Sequence, residues 1–234
     1  GFAESDFIFE QTFATQRTHQ GYLEPHACVV RIDEQGRIVV TASNKVPFPT
    51  RKYLAHAIGA DEKKIIIELS PVGGDFGGKG ALMDIPLCYF LAKATGRPAK
   101  MIMTYAEELM AANPRHPSTV TVKTGVKSDG RIWAREVKAI FNSGAYGGFK
   151  PNVIVNLPGA RMGAGAYRIP HVKIDAYSVY TNCVPCGHVR GPGEAQVVFA
   201  VESHMDYVAR EMNVDPYKFR RINILKPGDL LADV

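Results

Sequence analysis

The chain is poor in cysteine, in long apolar runs and in clustered charge, and each shortage excludes a class of protein. Four cysteines in 234 residues are too few for the disulfide framework that staples loop-rich folds. Cys28 and Cys88 sit inside the apolar runs ACVVRI and PLCYFL, where buried free thiols are common. Cys183 and Cys186 form a C-x-x-C pair, but a structural zinc site needs a second pair and none is present. A redox pair belongs at a helix start, whereas this one follows an expected strand and encloses a proline. The expectation is reduced thiols in the cytoplasm. No apolar run approaches the ~20 residues of a membrane-spanning helix. The N-terminal segment GFAESDFIFEQTF has no basic start and does not read as a signal peptide. Lys plus Arg number 28 against 23 Asp plus Glu, a net charge of +5. The basic residues come singly or as doublets, Lys63-Lys64 and Arg220-Arg221. Nucleic-acid binding, which requires a concentrated basic patch, is therefore not expected.

What is present is ordinary globular composition, 46% hydrophobic, read as one domain over 1–234 with enough chain to bury a core. Segments 25–33 and 37–43 read as strands around Glu34-Gln35-Gly36. Residues 49–58 read as a helix, with Pro49 near its start and Gly59 past its end. Residues 63–69 are a β-branched strand, and Leu82 to Thr95 an apolar helix closed by Gly96. A short strand at 99–104 and a short helix at 105–112 follow. Residues 118–127 and 131–141 form a hairpin about Ser128-Asp129-Gly130, and 172–181 alternates like a strand. The helix at 194–212 carries Val198, Val201, Met205, Val208 and Met212 at steps of three or four. Asp215-Pro216 opens a last helix. The fold class is mixed α/β, of α+β type.

Two glycine-rich loops stand out. Gly73-Gly74-Asp75-Phe76-Gly77-Gly78-Lys79-Gly80 lies between an expected strand and helix. Such a run lets the backbone turn sharply and bring amides near a ligand. It matches G-x-x-x-x-G-K, the phosphate loop, except that Gly80 stands where a Mg²⁺-binding Ser or Thr belongs. Bulky Phe76 also suits phosphate wrapping poorly. The second loop, Arg190-Gly191-Pro192-Gly193-Glu194-Ala195-Gln196, runs into the 194–212 helix. The two loops could meet on one ligand.

These motifs, in order, resemble the molybdenum hydroxylase family: the molybdopterin-binding region of xanthine dehydrogenases, aldehyde oxidoreductases and aerobic carbon monoxide dehydrogenases. Leu23-Glu24-Pro25-His26 resembles "LEPH", VGGDFGGKG the "vGGgFGgK" loop, Gly144-Ala145-Tyr146 "GAY" and Tyr167 to Pro170 "Y.iP". Thr181-Asn182 resembles "TN", RGPGEAQ the "RgfGgpQ" segment, and Glu202 to Asn223 the family's "E..mD.lA..l..DP...R..N". The resemblance implies a molybdenum–pterin cofactor, as molybdopterin or its cytosine dinucleotide, that hydroxylates an aldehyde or aromatic N-heterocycle with oxygen from water. It implies cofactor contacts from Lys45, Gly74, Phe76, Gly77, Gly78, Arg190, Gly191 and Gln196, with backbone amides of Phe76 and Arg190 near the metal.

Departures from the family qualify that picture. Lys45 stands where a glutamine commonly contacts a metal oxygen, and either donates to the cofactor or faces solvent. Gly80, Pro158 and Pro192 replace the glutamate, arginine and phenylalanine of purine-oxidising members, so xanthine is not the expected substrate. Gly191 replaces the copper-binding cysteine of carbon monoxide dehydrogenases, and Cys186 lies in the wrong place to substitute. The glutamate base is expected on a second, C-terminal molybdopterin-binding domain rather than at Glu24, placed in a strand, or Glu194, at a helix start. Iron–sulfur and flavin (FAD) subunits are the expected partners in a multimeric complex. Two other readings remain open: a nucleotide-binding domain using Gly73–Lys79, and a non-catalytic assembly module with an exposed apolar patch.

Overall fold

The computed structural model describes residues 1–148, 150 and 154–229. Two four-stranded mixed sheets organise the chain. The sheet with the shorter strands has the order β4-β3-β2-β5, from β2 (Ala27–Ile32), β3 (Ile38–Ala42), β4 (Ile65–Glu68) and β5 (Ala99–Ile102). β2 and β3 form the expected hairpin, while β3 and β4 run parallel. A parallel pair needs a crossover, and α1 (Pro47–Ile58) supplies it. Pro47 and Pro49 both fit α1's first turn, where a missing N–H costs nothing, and Gly59 ends it at φ 66°. The expected helix at Leu82 begins later, as α2 (Ile85–Thr95). Met83 adopts φ 44°, which helical backbone cannot continue through, and Pro86 then occupies the first turn. Val30, Val40, Leu54, Ile65, Ile85 and Cys88 make the core between this sheet and its two helices.

The second sheet has the order β1-β6-β7-β8. Its hairpin of β6 (Ser118–Val126) and β7 (Ile132–Gly144) is the one expected from the sequence. β8 (His171–Tyr180) runs parallel to β7. β1 (Phe7–Thr15), antiparallel to β6, is an addition to the expected elements. It is an edge strand whose alternation is half-buried against exposed, with Thr12 and Thr121 hydroxyls 2.8 Å apart across the pair. α4 (Glu194–Glu211) packs on β6 and β1. Its buried row is Gln196, Val197, Ala200, Val201, His204, Met205, Val208 and Ala209. Val198, expected on that face, is exposed. Two polar residues lie on the buried face, and apolar periodicity does not register them. A 3-10 segment, Pro158–Ala164, also absent from the expected elements, packs between β7 and α4. The last elements, α3 (Tyr105–Ala111) with its Thr104–Glu107 capping box and α5 (Pro216–Asn223) with its Asp215 cap, match expectation.

Candidate cofactor site

The first glycine loop leaves β4 and turns well before α2 begins, so its amides do not stand at a helix start, contrary to expectation. They instead close around an anion that the chain supplies itself. The Asp75 carboxylate accepts the Gly77 amide at 2.8 Å and the Lys79 amide at 2.7 Å. The Gly78 amide donates to the Asp75 carbonyl at 2.8 Å. Lys45 Nζ reaches the same carboxylate at 2.7 Å. Burial pushes the Asp75 pKa up, but the Lys45, Gly77 and Lys79 hydrogen bonds outweigh it and hold the carboxyl below its ordinary value. Lys45 is an exposed residue, as one of the two expectations had it, and its ammonium pairs there with Asp75.

Lys79 corrects a second expectation. Its side chain is fully buried, paired with Glu24 and 4.8 Å above the Tyr22 ring. Glu24 also takes the Gly73 amide at 2.8 Å and lies in a bend before β2, not in a strand. A lysine pinned inward cannot reach nucleotide phosphates, and no helix directly follows the loop, so the phosphate-loop reading fails. Tyr22 in turn donates to the buried Glu108 of α3. The Glu108 carboxylate also accepts the His26 backbone amide at 2.6 Å and faces His26 Nδ1 at 2.9 Å. Burial opposes its ionisation, yet the His26 and Tyr22 hydrogen bonds prevail and lower its pKa to about 2. Gly74 and Gly78 pack against Tyr22: a Cβ on either would fall 2.8 Å from its Cβ and 2.6 Å from its ring, respectively.

The second loop meets the first. The Arg190 amide donates to the Phe76 carbonyl at 2.8 Å, and the Arg190 guanidinium lies 5.1 Å from the Phe76 ring centre. Gly77, at φ 112°, lies so close to His188 that a Cβ would stand 2.5 Å from its carbonyl oxygen. Arg115 ties this loop down from behind, donating to the carbonyls of Arg190 at 2.6 Å and Gly191 at 3.0 Å. Gly191 itself is at φ 65°. Gln196, expected at the cofactor, is buried with both ends committed: Arg115 donates to its Oε1 at 3.2 Å, and its Nε2 donates to the His116 carbonyl at 3.0 Å. Through these two bonds it holds the second loop to the Arg115–His116 segment. The amides of Gly77 and Arg190 are likewise spent within the protein. Among the described residues, no acceptor is found for the Phe76 amide. Asp75, Arg115, Tyr22 and Glu108 are the site residues that sequence reasoning missed.

The arrangement fits a group that brings its own metal ligands. No cluster of three or more His, Cys, Asp or Glu side chains able to hold a metal occurs among the described residues. The junction instead offers an amide donor, a cation over an aromatic ring and a backbone too crowded for any side chain at Gly77. The four thiols are free, with Cys186 buried and Cys183 exposed. No helix among the described residues is long and apolar enough to cross a membrane.

Comparison with known proteins agrees with this geometry. The model of the molybdopterin cofactor-binding domain family matches residues 1–224, and the chain belongs to that family. It is 36% identical to a probable xanthine dehydrogenase subunit of Bacillus subtilis (strain 168), over 98% of this chain and 31% of that protein. It is 33% identical to the nicotinate dehydrogenase large molybdopterin subunit of Eubacterium barkeri, over 99% of this chain and 54% of that one. The solved aldehyde oxidoreductase of Desulfovibrio gigas superposes with a TM-score of 0.89 at 27% identity, covering 98% of this chain and 25% of that one. The chain thus spans about a quarter to about half the length of these relatives.

Proposed function

We propose that residues 1–234 form a single domain, the first molybdopterin-binding half of a molybdenum hydroxylase acting on an aldehyde or an aromatic N-heterocycle. The observation that carries this reading is the junction of the two glycine loops, where the Phe76 amide has no acceptor among the described residues and lies beside the Arg190 guanidinium. When bound, the molybdenum–pterin group, as molybdopterin or its cytosine dinucleotide, supplies oxygen transfer from water and two-electron redox chemistry. The chain's own part is placement. The Phe76 amide donates to a cofactor oxygen, and a preset dipole there needs no reorganisation during turnover. Arg190 lends positive charge at the rim. Lys45, neutralised by Asp75, holds the loop instead of adding a second cation. The glutamate base, the second molybdopterin-binding domain and the iron–sulfur and flavin units lie on partner segments of a cytoplasmic complex. Exposed Leu87, Phe90 and Leu91 on α2, with Leu109 and Met110 on α3, support such contacts.

An inert assembly module would show the same apolar residues, so metal content separates the two readings. The native complex is isolated from source cells and analysed for molybdenum and for oxidised-pterin fluorescence. Near-stoichiometric values for both are expected. An intact, folded complex with neither refutes the hydroxylase reading and leaves the module.

A further inference from the structure

Four residues along the chain from Phe76, and so within ~14 Å by the reach of the backbone, Gly80 opens onto a cleft. Its volume is about 370 Å³, and Tyr53, Gly80, Ala81, Leu82, Asn113 and Lys150 are among the residues lining it. That size lies in the range of small-molecule pockets. One part of the lining is aromatic and aliphatic, from Tyr53, Ala81 and Leu82. Glycine at position 80 puts no side chain into the opening.

Lys150 gives the cleft its electrostatic character. Its ammonium donates to the Ser143 hydroxyl at 2.6 Å, and among the described residues no carboxylate pairs with it. The two loop lysines differ in this respect: Lys45 has Asp75, and Lys79 has Glu24. No carboxylate among the described residues supplies Lys150 with a counter-charge. Its field, after burial and together with that of Arg115, helps keep buried His116 neutral, lowering that imidazole to about 4. Burial lowers the Lys150 pKa as well, against an opposing contribution from Cys186. A partly desolvated ammonium whose partner among the described residues is a hydroxyl is under-compensated, and an anion entering the cleft would complete it.

We propose that this cleft takes a substrate bearing a carboxylate, bound by Lys150, with its ring or chain lying against Tyr53, Ala81 and Leu82. Lysine offers a point charge rather than the guanidinium fork, which suits a singly charged carboxylate. This proposal rests on the hydroxylase reading, since it names the substrate class of that enzyme.

The test uses the intact, cofactor-loaded complex and reads binding, not turnover. Benzoate and benzamide share a ring and differ in charge, and their dissociation constants are measured by calorimetry. A charge-assisted hydrogen bond of this kind corresponds to roughly 10- to 100-fold in affinity. Benzoate is expected to bind at least ~10-fold more tightly than benzamide. Lys150→Met removes that preference, and Lys150→Arg retains it. Should Lys150→Met fail to fold or load, Lys150→Gln and the wild-type comparison decide the matter. Benzoate binding no tighter than benzamide, or a preference that survives loss of the lysine, overturns the proposal. Molybdenum content, measured on the same samples, reports separately on the hydroxylase reading.

Discussion

The meeting of the two loops depends on the absence of a side chain at residue 77, and a pair of glycine-to-alanine changes measures how much. Gly36 and Gly77 both adopt positive φ, 72° and 112°. A Cβ at Gly36 meets nothing within 4 Å, so Gly36→Ala carries only the backbone penalty, about 1–2 kcal/mol. At Gly77 the new methyl would stand 2.5 Å from the His188 carbonyl oxygen and 2.9 Å from its carbonyl carbon. Those atoms are backbone, and the Gln20 side chain also holds the same carbonyl at 3.1 Å. They cannot swing aside as the end of a flexible side chain can. Overpacking of this kind adds about 1–3 kcal/mol, so Gly77→Ala is expected to cost about 2–5 kcal/mol in all, out of a typical 5–15. Urea denaturation of the two variants beside the wild type gives both numbers. Pterin content of the Gly77 variant should fall as the loops are forced apart. A Gly77→Ala variant no less stable than Gly36→Ala would show that the loops do not meet as described.

Two further outcomes follow from groups behind the site. Gln196→Leu keeps the shape but leaves the His116 carbonyl and one Arg115 N–H without their partner, at a cost of about 2 kcal/mol. Thermal or chemical denaturation reads this directly, and an unchanged midpoint would return Gln196 to the ligand. Burial depresses His116 to about 4 and His204 to about 3, with neighbouring Lys150 and Arg115, and Arg135, adding to the effect. The unfolded chain takes up protons at these positions from about pH 6.5 downward while the folded chain does not. Stability is therefore full above that pH and falls by about 1.4 kcal/mol per pH unit per histidine, until each folded value is passed. Denaturation curves between pH 7.5 and 4.5 should show that slope roughly halved in His204→Gln. A flat profile would mean that these rings protonate in place.

Elements with strong local punctuation were legible from the residues alone. The 118–141 hairpin declares itself through Asp129-Gly130, and α1 and α2 through their glycine ends. β1 escaped because an edge strand containing Glu10, Gln11 and three threonines or alanines has no turn signal and no buried run. Val198 was misplaced because a helix face that buries Gln196 and His204 does not show as apolar. At the site, the glycines marked the loops correctly, but nothing local tells where an amide hydrogen goes. That Asp75 would consume Gly77 and Lys79 is not written in glycine spacing, and that Arg190 would bond to Phe76 depends on contact between segments more than a hundred residues apart. Lys79 shows the limit most plainly: the motif that suggests phosphate is also what a buried structural ion pair looks like in one dimension.

A loop that carries its own anion has a consequence for the order of assembly. Asp75 already occupies the position that an incoming ligand would otherwise have to fill to draw these amides together, so the cradle takes its shape when the chain folds. Ordering entropy is then settled before the cofactor arrives and need not be drawn from its binding free energy. Folding of the loop and binding at it therefore draw on separate free energies, and a change at Asp75 would move the ordering cost from the first to the second.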